Sequence, residues 1–328
     1  MERSADIETI RTRLLSGSAW AFAARIATVL LTLAINAMVV RMLDPAAVGA
    51  YFLTVSLVAF FSSFAQLGLT SAVVRLVAES IATGKLARVG LTIRIVLRLG
   101  CGSGLVLAAV VAAGLGQWLA FRVFQSPLLG GISGLLALWI FVRTMQGLFV
   151  EIFRGFHDIR LASLFGEFLT SILCAIAFGV LWAARGQADL TQIVFLSVAA
   201  GATSTVLAAL ILRRRVVGTH DDRSISVAGI LRIAWPLWVT NLVFFVVRQS
   251  DILIVGALLS QTDVALYGAA SRMIKLTSLA LVIVNAVLPP IIAELYVTGE
   301  TRRLERITRT VATLACIPAV VVLAAFLI

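Results

Sequence analysis

Long apolar stretches alternate with short polar connections along almost the whole chain. A helix that crosses the hydrocarbon core of a bilayer needs about 20 predominantly apolar residues, so each stretch of that length is predicted to be a transmembrane helix. The polar connections hold many of the Pro, Gly, Asp and Arg residues, as turns between helices do. The nine predicted transmembrane helices lie near residues 17–40, 48–74, 99–120, 128–150, 161–184, 190–212, 230–258, 264–292 and 310–328.

The composition indicates a protein that faces lipid over much of its surface. Of the 328 residues, 61% are hydrophobic and 13% are charged, and the mean hydropathy is +1.06. A water-soluble domain usually carries about 25% charged residues. The predicted fold class is therefore all-α and integral to the membrane, with about nine transmembrane helices.

The basic residues are distributed unequally between the two ends of the predicted helices. The chain has 27 Lys and Arg residues against 16 Asp and Glu residues. If the N-terminus is cytoplasmic, nineteen of the basic residues fall in segments on the cytoplasmic side and three fall on the outer side. This positive-inside bias predicts a multi-pass protein with a cytoplasmic N-terminus. It also explains the net positive charge without a nucleic-acid partner, which is not expected.

Residue types that bind metals or catalyse reactions are few and scattered. Cys101, Cys174 and Cys316 all lie in apolar stretches, where small buried side chains are their ordinary role. His157 and His220 have no second ligand at metal-binding spacing. The chain carries no GxSxG, HExxH or phosphate-loop motif, and no connection is long enough to house a catalytic domain. We therefore predict no metal, no cofactor and no enzymatic activity.

Two parts of the chain resemble each other. The regions 20–79 and 235–294 both begin with Trp, place a Tyr at the start of the second span and end in Ala-Glu. Six predicted spans separate the two starts, and an even number gives both copies the same orientation. The similarity therefore predicts a parallel repeat, in which two bundles are related by an axis along the membrane normal.

The repeat predicts how the chain is divided. We expect a first bundle of six helices, a polar linker, and part of a second bundle, with an incomplete C-terminus because the last apolar run ends without a polar cap. The expected parts are a cytoplasmic N-terminal segment at 1–16, the first bundle at 17–212, a cytoplasmic linker at 213–229 and the incomplete second bundle at 230–328.

Three segments carry a family resemblance. They read RMLDPAAVGAYFLTVSLVAFFSSFAQLGLTSAVVR at 41–75, FRGFHDIRLAS at 153–163 and RQSDILIVGALLSQTDVALYGAASRMIKL at 248–276. Together they resemble segments of the O-antigen type of polysaccharide flippase, a family of the multidrug/oligosaccharidyl-lipid/polysaccharide exporter superfamily. The resemblance implies transport by alternating access of two bundles around a central cavity, in the bacterial inner (cytoplasmic) membrane.

Basic side chains inside the predicted spans are the first candidates for function. An ionised group near the middle of a bilayer costs roughly 2.5–3.5 kcal/mol on insertion scales, so it needs a partner, water or a functional role. Guanidinium groups bind phosphate in a two-pronged geometry, while Lys acts as a point charge. The alternative is that these bases extend to the interface or pair with a neighbouring helix. The residues predicted to line the cavity and bind substrate are Arg25, Arg143, Arg272 and Lys275.

Three further charged residues inside the spans suggest coupling or gating. Arg248 and Asp251 are three residues apart and of opposite sign, so they can form a structural pair on one helix or take part in gating. Glu167 is the only carboxylate well inside a span of the first bundle. It can pair with Arg143 or Arg25, or exchange an ion.

The sequence favours one function over two alternatives. An anionic, lipid-linked (polyprenyl-pyrophosphate) oligosaccharide suits a basic cavity, and its export serves the biosynthesis of surface polysaccharide such as the O-antigen of lipopolysaccharide. Its expected partners are that substrate, membrane lipid and a glycan polymerase. One alternative is a transporter of drugs or of the peptidoglycan precursor lipid II in the same superfamily. The other is a membrane glycan polymerase, which would need a long outer loop that the sequence lacks.

Overall fold

The computed structural model describes residues 23–215 and 226–277, together with the isolated positions 305–306, 309–310 and 313. Over these residues the secondary structure is helical, with short turns between helices. The helices are α1 (Ala23–Met42), α2 (Pro45–Ala65), α3 (Leu69–Ala82), α4 (Leu86–Val110, continued by further helical turns to Val123), α5 (Ser133–Gly155), α6 (Ile159–Arg185), α7 (Leu190–Arg215), α8 (Val227–Leu258) and α9 (Gln261–Thr277).

Seven of the described helices are long and apolar enough to cross a membrane, namely α1, α2 and α4 to α8. The protein is therefore a multi-pass membrane protein, and the predicted all-α membrane class is confirmed. The predicted spans at 128–150, 161–184 and 190–212 correspond to α5, α6 and α7. The predicted span at 310–328 and the part of the span at 264–292 beyond Thr277 lie outside the described residues.

The chain separates into two compact units at Leu266 and Tyr267. The first unit holds α1 to α8 and the first turns of α9, and the second holds the rest of α9. The linker expected at 213–229 falls largely in 216–225, outside the described residues. The predicted division into two bundles, including the parallel repeat, stays a prediction.

The predicted single span at 48–74 is wrong, because the helix breaks inside it. α2 ends at Ala65, and α3 begins at Leu69 after Leu67 and Gly68 take left-handed backbone angles, with φ of 48° and 72°. Three of the four residues from Ala65 to Gly68 are apolar or glycine, so hydropathy gives no sign of the break. α3 then runs on as a separate helix that packs between α4 and α5.

The predicted span at 99–120 also needs correction, because the helix that contains it starts thirteen residues earlier. α-Helical structure begins at Leu86, so the basic residues Arg88, Arg94 and Arg98 lie on the helix rather than in a loop. Further along, α4 contains two π-helical turns, Val111–Leu115 and Leu119–Val123, and Gly114 has a φ of 146°. The first turns of α4 pack with α3 as a helical pair.

α5 is the central helix of the first unit, with α2, α3, α4, α6 and α7 packed around it. Its side chains Ile140, Leu148, Ile152 and Phe153 are fully buried among these neighbours. Because lipid tails are as apolar as Leu, close van der Waals packing rather than release of water drives such contacts between membrane helices.

Two glycines of α4 test this close packing. Gly100 is buried, and an added Cβ there would meet the side chain of Leu148 on α5, whereas an added Cβ at Gly102 would meet no atom within 4 Å. We expect Gly100→Val to lower the stability of the detergent-solubilised protein by about 1–3 kcal/mol, because the fully buried side chain of Leu148 must shift to admit the extra volume. The check is the thermal unfolding midpoint.

Gly102→Val is the matched control, and we expect a change within about 0.5 kcal/mol because the position is exposed. Equal midpoints for the two variants would contradict the packing of α4 on α5. The two glycines are only two residues apart in the sequence, but in the structure Gly100 faces α5 and Gly102 does not.

α8 lies across α2 and α3. The rings of Phe245 and Phe60 are 5.4 Å apart, and those of Trp238 and Phe64 are 5.0 Å apart in an edge-on arrangement. Trp238 Nε1 also donates a hydrogen bond of 3.1 Å to the carbonyl oxygen of Phe64, in the last turn of α2. α8 therefore contacts the break between α2 and α3 directly.

Candidate functional site

A cavity of about 490 Å³ opens within the first unit, among α1, α2, α3, α5 and α6. It lies toward the end of the unit where α1 and α6 begin and α5 ends. Cavities of this size are typical of small-molecule sites, though such sites are usually more apolar. The polar and charged side chains that line it are Arg25, Thr28, Ser62, Ser63, Gln66, Thr70, Arg143, Gln146, Glu151, Arg154, Ser163 and Glu167.

One carboxylate and two guanidinium groups meet in this cavity. Arg143 Nη2 of α5 donates to Glu167 Oε1 of α6 over 3.0 Å. Arg25 Nη1 of α1 lies 3.7 Å from the other oxygen, Oε2. The side chains of Arg25, Glu167 and Arg143 are 60%, 50% and 38% exposed, so all three remain accessible from the cavity.

The turn of α6 that carries Glu167 is π-helical and spans Leu164–Phe168. π-Helical turns often occur at functional sites. Gln146 of α5, whose side chain is buried, holds this turn in place. Its Nε2 donates to the carbonyl oxygens of Phe165 and Gly166 at 3.0 and 3.1 Å and to Thr170 Oγ1 at 2.9 Å.

Gln146 also orients one of the two arginines. Its Oε1 accepts a hydrogen bond of 3.2 Å from Arg143 Nη1, on the same helix. A single buried amide thus positions both the base on α5 and the turn that carries the acid on α6. Such buried polar networks are rigid when every member has its hydrogen bonds.

A second pair of charges lies nearer the end of α5. Arg154 Nη1 and Glu151 Oε1, one turn apart on the same helix, are 2.9 Å apart. With this pair, the cavity lining holds three guanidinium groups against two carboxylates. The charged side chains of the lining therefore carry a net charge of one positive unit. Among the described residues no cluster of His, Cys, Asp and Glu could hold a metal ion.

The structure thus brings together three of the predicted site residues, Arg25, Arg143 and Glu167. Pairing of Glu167 with one of these arginines was one of the alternatives from the sequence, and the structure has both pairs. Their predicted roles in binding substrate and in coupling stay predictions.

The other predicted site residues lie on α8 and α9. Arg272 Nη1 donates to the carbonyl oxygen of Gly268, one turn earlier on α9, over 3.0 Å. Asp251 lies on α8 and is exposed. The side chains of Arg248 and Lys275 lie outside the described part of the structure, so their predicted positions in a cavity or a gate stay predictions.

Three lining residues were not among the site residues predicted from the sequence, namely Gln146, Glu151 and Arg154. An uncharged glutamine gives no charge signal within an apolar span. The signal that could have found it is its hydrogen-bonding capacity, because an amide in a membrane helix needs partners on neighbouring helices. Glu151 and Arg154 lie on α5, which extends to Gly155, beyond the predicted boundary at residue 150.

Residues 14–296 match the model of a family described as polysaccharide biosynthesis protein. No curated protein matches the chain.

Several solved structures share the fold. The inward-facing conformation of a multidrug resistance MATE family transporter of the MOP superfamily is 18% identical, with a TM-score of 0.68 over 90% of this chain and 69% of that chain. The outward-facing conformation of such a transporter is 17% identical, with a TM-score of 0.58 over 94% and 69% of the two chains. At these identities the likeness shows the fold alone.

A third structure is of a MOP superfamily transporter from Pyrococcus furiosus, described as having a binding pocket of reverse polarity that suggests a different function. It is 15% identical, with a TM-score of 0.52 over 84% of this chain and 70% of that chain. The chain therefore has the same fold as these proteins.

Proposed function

We propose that this chain, which belongs to the polysaccharide biosynthesis protein family, moves a lipid-linked oligosaccharide with a diphosphate group across the bacterial inner membrane. The observation that carries the proposal is the meeting of Arg25 and Arg143 in one open cavity. Two guanidinium groups on different helices offer the paired N–H donors that phosphate oxygens accept. The polyprenyl chain would stay in the lipid while the charged group enters the cavity.

The proposal includes a direction and a mechanism. The fold of a MOP superfamily transporter and the positive-inside bias support alternating access, with the N-terminus in the cytoplasm. The cavity then lies toward the cytoplasmic ends of α1, α5 and α6, where a newly made lipid-linked sugar would enter. The proposed role is transport without covalent chemistry, and the expected partner after export is a glycan polymerase.

A multidrug transporter is the second candidate, because two of the solved structures with this fold carry that description. The charges of the cavity argue against it. An organic cation is attracted by carboxylates, but both lining carboxylates are already paired, Glu167 with two arginines and Glu151 with Arg154. The surplus of guanidinium groups favours an anionic substrate over a cationic one.

Transport of a fluorescent polyprenyl-diphosphate oligosaccharide in proteoliposomes tests the proposal. We expect Arg143→Ala and Arg25→Ala each to lower the transport rate about tenfold or more, since a hydrogen bond to a charged group contributes about 1.5–3 kcal/mol. The measurement is the fraction of substrate that becomes accessible to a membrane-impermeant quencher with time.

Arg185→Ala is the matched control, because Arg185 is exposed at the far end of α6 and does not line the cavity. This variant should transport at the rate of the unmodified protein. Wild-type rates in both Arg25→Ala and Arg143→Ala would contradict the proposed substrate site. Transport of cationic dyes in place of the oligosaccharide would support the second candidate.

A further inference from the structure

We propose that Glu167 is an internal counter-anion, which occupies between Arg25 and Arg143 the place that a substrate phosphate takes. The inference rests on the proposed function and adds a condition to it: a substrate headgroup loads only by displacing this carboxylate. Glu167 then sets the charge that a lipid headgroup must carry before it can enter the site.

The geometry of the three side chains supports displacement. Each oxygen of the Glu167 carboxylate faces a different arginine, at 3.0 Å from Arg143 and 3.7 Å from Arg25. Two oxygens of a phosphate group present the same kind of planar pair of acceptors to guanidinium groups. The ion-paired carboxylate and a phosphate therefore compete for the same donors and cannot both be bound at short distance.

The surroundings allow Glu167 to leave without disrupting the fold. The π-helical turn that carries it is held through the carbonyl oxygens of Phe165 and Gly166, which accept hydrogen bonds from the buried Gln146. Those bonds do not involve the carboxylate. Because the side chain of Glu167 is also half-exposed, it can turn toward the open part of the cavity while its backbone stays in place.

The competition between anions has a consequence for specificity. A phosphodiester headgroup such as that of phosphatidylglycerol carries one negative charge, the same as the carboxylate that it would have to replace. A diphosphate headgroup carries more charge and more acceptor oxygens, so it gains more from the two arginines. Glu167 thus excludes the abundant anionic phospholipids of the surrounding bilayer while it admits a diphosphate.

Binding of farnesyl diphosphate to the purified full chain in lipid nanodiscs tests the inference. In nanodiscs of phosphatidylcholine, we expect Glu167→Gln to bind the probe about three- to tenfold more tightly than the unmodified protein, because neutralising a half-exposed ion pair removes a modest competing interaction. When the nanodiscs contain phosphatidylglycerol, the variant should lose this gain, while the dissociation constant of the unmodified protein should change little.

Two further variants complete the experiment. Glu79→Gln neutralises a carboxylate outside the cavity, 3.9 Å from Arg88, and should bind like the unmodified protein in both lipids. Glu167→Asp keeps the charge but shortens the side chain by one methylene group, so its affinity should be intermediate. If Glu167→Gln fails to fold, tighter binding by Glu167→Asp supports the inference, and unchanged binding overturns it.

The outcomes separate this inference from the proposed function. Unmodified protein that binds the probe through Arg143, but binds it no more tightly as Glu167→Gln, would overturn the counter-anion role and leave the function standing. Gain of affinity in Glu167→Gln that persists in phosphatidylglycerol would overturn the role in specificity. Absence of binding to both the unmodified protein and Glu167→Gln would overturn the proposed function and this inference with it.

Discussion

Replacement of Gly68 by alanine is expected to destabilise the protein by about 2–4 kcal/mol, one of the two largest effects that we anticipate. Gly68 has a φ of 72°, in the left-handed region where a side chain costs about 1–2 kcal/mol. An added Cβ would also overlap the carbonyl oxygen of Ala234 and lie 2.7 Å from the backbone nitrogen of Trp238. Backbone atoms of a packed helix cannot rotate away, so overpacking adds about 1–3 kcal/mol.

Gly84 offers a control for this variant. Its φ of 71° is nearly the same, but an added Cβ there would meet no atom within 4 Å. Gly84→Ala should therefore cost only the backbone term of about 1–2 kcal/mol. The thermal unfolding midpoints of the two variants in the same detergent provide the measurement. A Gly84→Ala midpoint as low as that of Gly68→Ala would show that α8 does not pack against the break after α2.

Replacement of Gln146 by methionine is expected to destabilise the protein by about 2–4 kcal/mol and to abolish most of its transport. The substitution keeps the volume but removes the donors to the carbonyl oxygens of Phe165 and Gly166, and a buried acceptor left without a partner costs about 1–3 kcal/mol. Arg143 would lose a hydrogen bond of 3.2 Å at the same time. Thermal unfolding and the proteoliposome rate measure the two effects.

Gln192→Met separates the role of this network from a general effect of losing an amide. Gln192 lies in the first turn of α7 and accepts a long hydrogen bond of 3.4 Å from the backbone nitrogen of Asp189. We expect a loss below about 0.5 kcal/mol and normal transport. If Gln146→Met were as stable and as active as Gln192→Met, the buried network would have no part in holding the π-helical turn.

Hydropathy located α5, α6 and α7 because a membrane span must present a continuous run of apolar residues, whatever its neighbours are. It failed at Gln66–Gly68, since a left-handed turn between two helices changes backbone angles and not apolarity. It also failed at 86–98, where a helix of mixed polarity packs against α3.

The candidate site was predicted in part for a related reason. An ionised side chain within a span is conspicuous in a sequence, so Arg25, Arg143 and Glu167 could each be selected from their cost in lipid. Their convergence on one cavity depends on the packing of α1 and α6 beside α5, which no local pattern encodes. Gln146 was missed because its importance comes from the hydrogen bonds that it makes with α6, and not from charge.

Gly49, in the second turn of α2, and Gly68, just after the helix ends, both allow close approach of a neighbouring backbone. At Gly49 the backbone approaches the carbonyl oxygen of Gln261, and at Gly68 it approaches that of Ala234, so neither place has room for a methyl group. Close contacts at two separated points prevent one helix from rotating about the other, whereas a single contact would permit that rotation. We therefore expect α2, α8 and the first turn of α9 to move as one rigid unit, without separating from each other at either end of α2.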